Sequence, residues 1–201
     1  LKPVFYCKDP FRTIDKNICI LVLCDTWVSD TEHHRSNTRV KANEIFSKYS
    51  DSNILFGLEQ EFFFLFDGED LNNESDHYCM GSRMTGREYV EEAFQHCLTA
   101  GLKITGFNSE VSKHQWELQI CQYGITAADE LVILRYILNQ IADKYGYIIN
   151  LHPKPFPNEN GSGCHINFST EKMRKSNSAE EVKNCVEKLK NNHKYHIDNY
   201  G

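Results

Sequence analysis

The sequence predicts an α+β fold, with a mainly antiparallel, curved sheet and helices packed on its outer face. Apolar runs rich in β-branched and aromatic residues recur along the chain, and amphipathic helical segments lie between them. After residue 50 their order is strand, helix, strand pair, helix, strand pair, helix. Helices on one side of an antiparallel sheet satisfy that order.

Composition narrows the class of protein. The 201 residues carry a formal net charge of -6 and no dense stretch of Lys and Arg, so we expect no nucleic-acid partner. No apolar run approaches the roughly 20 residues that a membrane span requires, so we expect no membrane partner. The eight cysteines include no Cys-x-x-Cys pair, which favours free thiols in a reduced, cytoplasmic protein over a disulfide framework.

The chain divides into two predicted domains. Residues 1–30 predict the remnant of a β-rich N-terminal domain, because "PVFYC" and the β-branched run "ICILVLCDTWV" flank a turn-like segment. Residues 31–201 predict a second domain, which opens with a helix over Arg39–Tyr49 and a strand over Ile54–Phe66. A long polar loop, Asp67–Gly86, follows that strand.

The middle of the chain alternates helices with strands. An amphipathic helix ends at Gly101, and the strands "LKITGFN" and "QWELQI" follow it. The next helix is predicted to begin at a capping box formed by Thr126 and Asp129 and to end at Gly146. These elements supply two strands and two helices to the predicted sheet and its outer layer.

The last part of the chain contains two short strands and a helix. "YIINL" precedes a Pro-rich loop over His152–Ser162, and the strand "GCHINFST" follows it. The final helix is predicted from Ser178 to about Asn199, with Ser178 and Glu181 at its start. Its inward-facing residues are expected to be Val182, Cys185, Val186 and Leu189.

Three predicted strands carry an unusual polar face. Side chains alternate across a strand, so a period of two sorts each run into two faces. In "FGLEQEFFFLF", Glu59 and Glu61 share one face, and phenylalanine and leucine dominate the other. In "QWELQI" and "CHINFST" the polar faces consist of Gln115, Glu117, Gln119, His165, Asn167 and Ser169.

These polar faces need a counter-charge if they are buried. Carboxylates buried close together repel one another and lose solvation. A half-exposed sheet with a wet face would explain each strand taken alone, but it would be expected to mix in Lys, Thr and Arg. Together with Glu110, the faces offer four carboxylates and one imidazole, a donor set that suits Mg²⁺ or Mn²⁺. Such a cation would neutralise the carboxylates.

The same segments resemble one known family. "FGLEQEFFFLF", "GFNSEVSKHQWELQI" and "HPKPFPNENGSGCHINFST" resemble, in order, the sheet motifs of eukaryote-type glutamine synthetases. "DPFR" near the start and "HIDNYG" at the end fit the same family. The resemblance implies that residues 1–30 are the end of a β-grasp domain and that residues 31–201 are part of the catalytic domain.

The resemblance also implies a role for each matched residue. Glu61, Glu110 and Glu117 would be catalytic. They would also bind the metal that organises glutamate and ammonia. Glu59 and His165 would bind a second metal, which bridges the phosphates of ATP. Asn160, Gly161 and His165 would contact glutamate. The nucleotide site would be lined by Glu59, Gln119, Asn167, Phe168 and Ser169.

The activity implied is ATP-dependent amidation of L-glutamate by ammonia through a γ-glutamyl phosphate, within a ring-shaped homo-oligomer in the cytoplasm. The chain begins at Leu1 without an initiator Met and stops at Gly201 directly after a helix, so we expect it to be part of a longer protein. The family's phosphate-binding arginines lie beyond that point, so we expect this chain alone to be inactive. Leu55 stands where the family usually has Trp.

Other functions stay open at this point. One alternative is a non-catalytic, glutamine synthetase-like structural or interaction protein. Another is a related γ-glutamyl-amine ligase or guanidino kinase.

Overall fold

The computed structural model describes residues 1–66, 85–175 and 177–200, which form two antiparallel sheets and five helices. The strands are β1 (Lys2–Ile14), β2 (Asn17–Asp25), β3 (Leu55–Leu65), β4 (Ile104–Ser109), β5 (Gln115–Tyr123), β6 (Ile148–Asn150) and β7 (Cys164–Ser169). The helices are α1 (Thr38–Lys48), α2 (Arg87–Ala100), α3 (Thr126–Tyr145), α4 (Ala179–Asn191) and α5 (His193–Ile197). The α+β class and the order of elements after residue 50 are confirmed.

The larger sheet is built around β3. Its strand order is β4-β5-β3-β6, and β7 pairs with β3 on the edge opposite β5. β7 covers the first half of β3, from Leu55 to Gln60, whereas β6 covers only Phe63 to Leu65. All pairings are antiparallel. β3 is therefore the shared partner that brings β5 and β7 onto one surface.

The apolar face of this sheet forms the core with α2 and α3. Phe62, Phe64 and Leu118 are completely buried, and they meet the buried stripe of α3. Burying each such side chain stabilises the fold by about 1.5–3 kcal/mol relative to exposure. Because this face must point inward, the alternation of side chains fixes Glu59 and Glu61 on the opposite face.

Two of the predicted helix ends are confirmed, and one predicted cap is wrong. α2 ends at Gly101 and α3 at Gly146, both with positive φ, at 86° and 67°. α3 has Ile125 at its N-cap and no side-chain capping bond, so Thr126 and Asp129 form no capping box. The carboxylate of Asp129 instead accepts two hydrogen bonds from Arg39 on α1, at 2.9 and 2.8 Å.

The prediction for the final helix is wrong in two respects. Its start is confirmed, because Ser178 is the N-cap residue of α4, but the helix is divided into α4 and α5. Its apolar side is not buried, since Val186 is 55% exposed and Leu189 is 44% exposed. Helical periodicity identifies an apolar side, but it does not identify what packs on that side.

The smaller sheet is a hairpin of β1 and β2. Asp15 and Lys16 connect the strands, and both have positive φ, at 49° and 65°, as a two-residue hairpin turn requires. The division into a β-grasp remnant and a catalytic part stays a prediction. Most of the predicted loop Asp67–Gly86 lies outside the described residues.

Within the described ranges, none of the helices combines the length and the apolar character needed to span a bilayer. The seven cysteines in the described part of the chain are free thiols.

Candidate metal and substrate site

Strand register assembles the polar face. In β3 and β5, Glu61 lies opposite Glu117 and Glu59 lies opposite Gln119. On the other edge of β3, Glu59 also lies opposite His165. Directly paired residues on one face of antiparallel strands have neighbouring side chains. Residues more than a hundred positions apart in the sequence therefore lie side by side.

The first cluster consists of three carboxylates. Glu61, Glu110 and Glu117 each offer an oxygen, and these oxygens lie within 4.8 Å of one another. All three side chains are buried, with residue exposures of 6–7%. Glu110 follows β4, and its backbone N–H donates to the carbonyl of Gln115 at 2.9 Å. We name these three residues the carboxylate cluster.

The second cluster shares Glu117 with the first. It consists of Glu59, Glu117 and His165, whose ligand atoms also lie within 4.8 Å of one another. His165 Nδ1 is 3.1 Å from Glu59 Oε2, and Asn167 Nδ2 donates to Glu59 Oε1 at 2.6 Å. The side chain of His165 is 62% exposed. We name this open group the imidazole cluster.

Electrostatics favours a cation at the carboxylate cluster. Burial raises the pKa of Glu117, the negative charges of Glu110 and Glu59 raise it further, and a hydrogen bond from Gln119 and the charge of His165 oppose the shift. In the part of the chain that the structure describes, no Lys or Arg forms an ion pair with Glu117 or Glu61. Three buried carboxylate oxygens close together, two of them from residues without a Lys or Arg partner in the described ranges, suit a hard divalent ion. These residues fit the metal that the sequence predicts.

The predicted substrate residues lie beside this cluster. An open cavity of about 440 Å³ is lined by Glu61, Glu110, Asn160, Gly161 and His165, among others. The preceding loop is fixed partly by Phe156, whose ring packs edge-on against Phe63 with the centroids 5.4 Å apart. A ligand in this cavity would contact both the loop and the carboxylates.

The predicted nucleotide residues are only partly brought together. Gln119 donates to Glu117 Oε1 at 2.5 Å, and Asn167 contacts Glu59, so both lie at the clusters. Phe168 lies opposite Phe56, so its side chain points to the other face of the sheet. Ser169, at the end of β7, accepts a hydrogen bond from Arg174 at 2.9 Å instead. Side-chain alternation excludes Phe168 from the polar face.

Sequence reasoning missed the glutamines that hold the site together. Gln60 is 2% exposed, accepts hydrogen bonds from Arg135 on α3, and donates to the backbone carbonyl of Glu61 at 2.7 Å. Gln115 is 1% exposed and contacts both Glu61 and Gly161. Gln115 was recognisable only as a member of the polar face, since its partners come from other parts of the chain.

Comparisons with known proteins relate this chain to glutamine synthetases. Residues 35–196 match the family described as "Glutamine synthetase, catalytic domain". The whole chain is 38% identical to glutamine synthetases of Eremothecium gossypii and Saccharomyces cerevisiae, and it covers 57% of each of those proteins. It is also 38% identical to a protein named glutamine synthetase cytosolic isozyme from Pinus sylvestris, and it covers 60% of that protein.

A solved structure shows the same fold. The crystal structure of a novel glutamine synthase homolog superimposes with a TM-score of 0.64 at 17% identity. The superposition covers 82% of this chain and 41% of that protein. This chain thus spans little more than half the length of the curated relatives that it matches.

Proposed function

The chain belongs to the glutamine synthetase catalytic-domain family, and from that premise we propose that it is part of a glutamate–ammonia ligase. The reaction would be ATP-dependent amidation of L-glutamate through a γ-glutamyl phosphate. The observation that carries the proposal is that the carboxylate cluster and the imidazole cluster, each able to hold a metal ion, share Glu117 on one face of the sheet.

The proposed chemistry explains why acids are concentrated here. A carboxylate is a poor electrophile, so ammonia does not displace its oxygen until ATP has converted it into an acyl phosphate. Divalent metals, when bound, would offset the charge of the two anionic reactants and align donor with acceptor.

The chain's own residues would divide the remaining tasks. Glu61, Glu110 and Glu117 would hold one ion, and Glu59 with His165 would hold the other beside the nucleotide. The carboxylate cluster would also attract ammonium and accept its proton. Asn160 and Gly161 would contact glutamate from the loop before β7.

We propose a nucleotide site that uses fewer side chains than the sequence predicted. Gln119 and Asn167 lie at the imidazole cluster and would face the phosphates. Phe168 would contribute backbone atoms, because its side chain lies on the other face of the sheet. Ser169 would form the end of the site, where its side chain accepts a hydrogen bond from Arg174. The native metal is proposed to be Mg²⁺ or Mn²⁺.

We further propose a cytoplasmic location and a ring-shaped homo-oligomer for the whole protein. The name of the pine relative, a cytosolic isozyme, supports the location. The 201-residue chain alone is expected to be inactive.

Calorimetric titration with Mn²⁺ tests the proposal. We expect wild type to bind two ions per chain and Glu117→Gln to weaken both sites, since both clusters use that carboxylate. Glu171→Gln is the matched control, because Glu171 lies on the surface paired with Lys175. Equal binding by Glu117→Gln and wild type would contradict the metal site.

An activity assay tests the reaction itself. The complete open reading frame that contains this chain should form glutamine from glutamate, ammonia and ATP. A complete protein that binds Mn²⁺ but forms no glutamine would instead support a non-catalytic homologue.

A further inference from the structure

We propose that Gln115 is a positioning residue that couples the carboxylate cluster to the substrate loop at Asn160–Gly163. The inference rests on the proposed function, because it assigns Gln115 a role in metal and glutamate binding. Gln115 is the first residue of β5 and lies two positions before Glu117 on the same face. Its side chain is almost completely buried.

The amide of Gln115 uses its full hydrogen-bonding capacity. Its Nε2 donates to Glu61 Oε2 at 3.2 Å and to the carbonyl of Gly161 at 2.7 Å. Its Oε1 accepts from the backbone N–H of Ser112 at 3.3 Å and from Asn160 Nδ2 at 3.4 Å. A glutamine side chain offers two N–H donors and two lone pairs, and all four are used here. One side chain thus joins three separate parts of the site, namely Glu61 on β3, Ser112 before β5, and the loop at Asn160 and Gly161.

The contact with Glu61 engages one carboxylate oxygen, so the other oxygen would be the one that binds a metal. Glu61 Oε2 accepts from Gln115 Nε2 and also from the backbone N–H of Gly163, at 2.9 Å. Glu61 Oε1 is the oxygen that lies toward His165, at 3.9 Å. Gln115 and Gly163 therefore hold one oxygen and leave the other for an ion. Such outer hydrogen bonds orient metal ligands and typically change metal affinity by about 10–100-fold.

The side-chain amide of Gln115 also contacts the loop before β7. Gly161 is held by its carbonyl and Asn160 by its side chain, and the backbone N–H of Asn160 donates to Ser112 Oγ at 3.0 Å. A cation that restrains Glu61 would therefore restrain Asn160 and Gly161 through Gln115, whereas Gly163 is bonded to Glu61 directly. By thermodynamic linkage, a ligand that orders the loop would in turn strengthen metal binding.

Two readouts test this coupling, namely Mn²⁺ affinity and hydrogen-exchange protection of Asn160 and Gly161, the loop residues that Gln115 contacts. Gln115→Met keeps the volume and removes the amide. We expect it to lower Mn²⁺ affinity by about 10–100-fold and to abolish the rise in loop protection that Mn²⁺ produces in wild type. Gln122→Met is the matched control, because Gln122 lies on the same strand but donates to Glu130, away from the clusters.

The outcomes separate this inference from the proposed function. Wild type that binds no Mn²⁺ overturns both, whereas wild-type affinity and coupling in Gln115→Met overturn the inference alone. If Gln115→Met does not fold, Gln115→Asn serves instead, since it keeps an amide but withdraws it by one methylene. The same losses are expected for that variant, and unchanged affinity and coupling would overturn the inference.

Discussion

Gly163 leaves the space that the imidazole of His165 occupies. A Cβ at this glycine would lie 3.1 Å from His165 Nε2 and 3.3 Å from its Cδ2, closer than ordinary contact. The side chain of His165 is 62% exposed, and its Nδ1 contacts Glu59 Oε2 at 3.1 Å. The imidazole cluster therefore depends on glycine at residue 163, because a side chain there would crowd the His165 ring.

Gly163→Ala is predicted to displace His165. The added methyl group should lower Mn²⁺ affinity at the imidazole cluster by about tenfold, through the lost orientation of a ligand. Calorimetric titration should show the change at one of two sites. Gly57→Ala is the control, because its Cβ would meet Asn167 at 3.5 Å, an ordinary contact. Unchanged affinity in Gly163→Ala would contradict this account of the cluster.

Glu92 on α2 is predicted to make stability depend on pH. Burial alone would raise its pKa, but hydrogen bonds from Lys144 at 2.7 Å and Tyr145 at 2.8 Å outweigh burial and lower it. A carboxyl whose pKa is lower in the folded state stabilises the fold above its ordinary pKa of 4.5, and that stability is lost as pH falls through the lowered value.

Glu92→Gln removes this contribution. Its free energy of unfolding should fall below that of wild type at pH 7, and the difference should shrink as pH falls below about 4.5. Denaturant unfolding at several pH values measures it. The control is Glu91→Gln, which breaks only a half-exposed pair with Arg87. A difference that stays constant with pH would contradict the prediction.

The sequence predicted which residues share the polar face, but it did not predict the hydrogen bonds that support them. Period-two alternation alone groups Glu59 with Glu61 and Gln115 with Glu117. The hydrogen bonds of Gln115 depend on the path of the loop before β7, and no local pattern encodes that path. The role of Phe168 in the nucleotide site stays a prediction, because the family motif indicates a segment, whereas strand geometry places the Phe168 side chain on the other face of the sheet.

At the scale of elements, an ion pair fixes α1 against α3. Arg39 donates through Nε and Nη2 to both oxygens of Asp129, whose side chain is 6% exposed. A bidentate arginine–carboxylate interaction of this kind is stronger than a single hydrogen bond.

Arg39→Gln is predicted to lower the free energy of unfolding by about 3 kcal/mol, because it leaves a buried carboxylate without its partner. Chemical denaturation measures the change. Arg87→Gln should cost less than about 1 kcal/mol, because both side chains of the Arg87–Glu91 pair are about half exposed. Equal losses in the two variants would contradict the role of Arg39.

The start of α2 is fixed by a close approach between backbone and ring. Gly86 has φ 80°, and a Cβ there would lie 2.2 Å from Cζ of Phe64, a completely buried ring. Phe64 stacks on Tyr147, with ring centroids 4.8 Å apart, so it has little room to move. Gly101, at the other end of the helix, has φ 86° and no atom within 4 Å of a built Cβ.

Comparing alanine at these two glycines separates steric clash from backbone strain. Gly101→Ala should cost about 1–2 kcal/mol through its left-handed backbone alone. Gly86→Ala should cost about 1–3 kcal/mol more, because the core around Phe64 would be overpacked. Thermal and denaturant unfolding measure both. Equal losses would contradict the proposed contact with Phe64.

The ends of α2 and α3 were predicted correctly because a single residue type determines each of them. Gly101 and Gly146 end their helices because glycine adopts positive φ at little cost. The capping box is wrong because Ile125 is the N-cap residue, which places Thr126 inside the helix, and the Asp129 carboxylate bonds Arg39, ninety positions away. The inward face of α4 failed because periodicity does not specify a partner surface, and Val186 and Leu189 are exposed among the described residues.

At the scale of the molecule, topology explains the site. β3 pairs with β5 on one edge and with β7 on the other, so three strands from distant parts of the sequence present their polar residues on one face. The apolar face is held by α2 and α3, which makes that face the core and leaves the acids gathered together. The order of elements was predictable, whereas the position of β7 beside β3 follows from the tertiary fold.

The central claim is that acids from separate strands hold two neighbouring divalent ions through the shared carboxylate of Glu117. Electron paramagnetic resonance during Mn²⁺ titration tests it most directly. We predict that the second ion couples to the first, so that the spectrum of the isolated ion loses intensity as two sites fill, and that Glu117→Gln removes this coupling. Two magnetically independent ions, or a spectrum unaffected by Glu117→Gln, would contradict the claim.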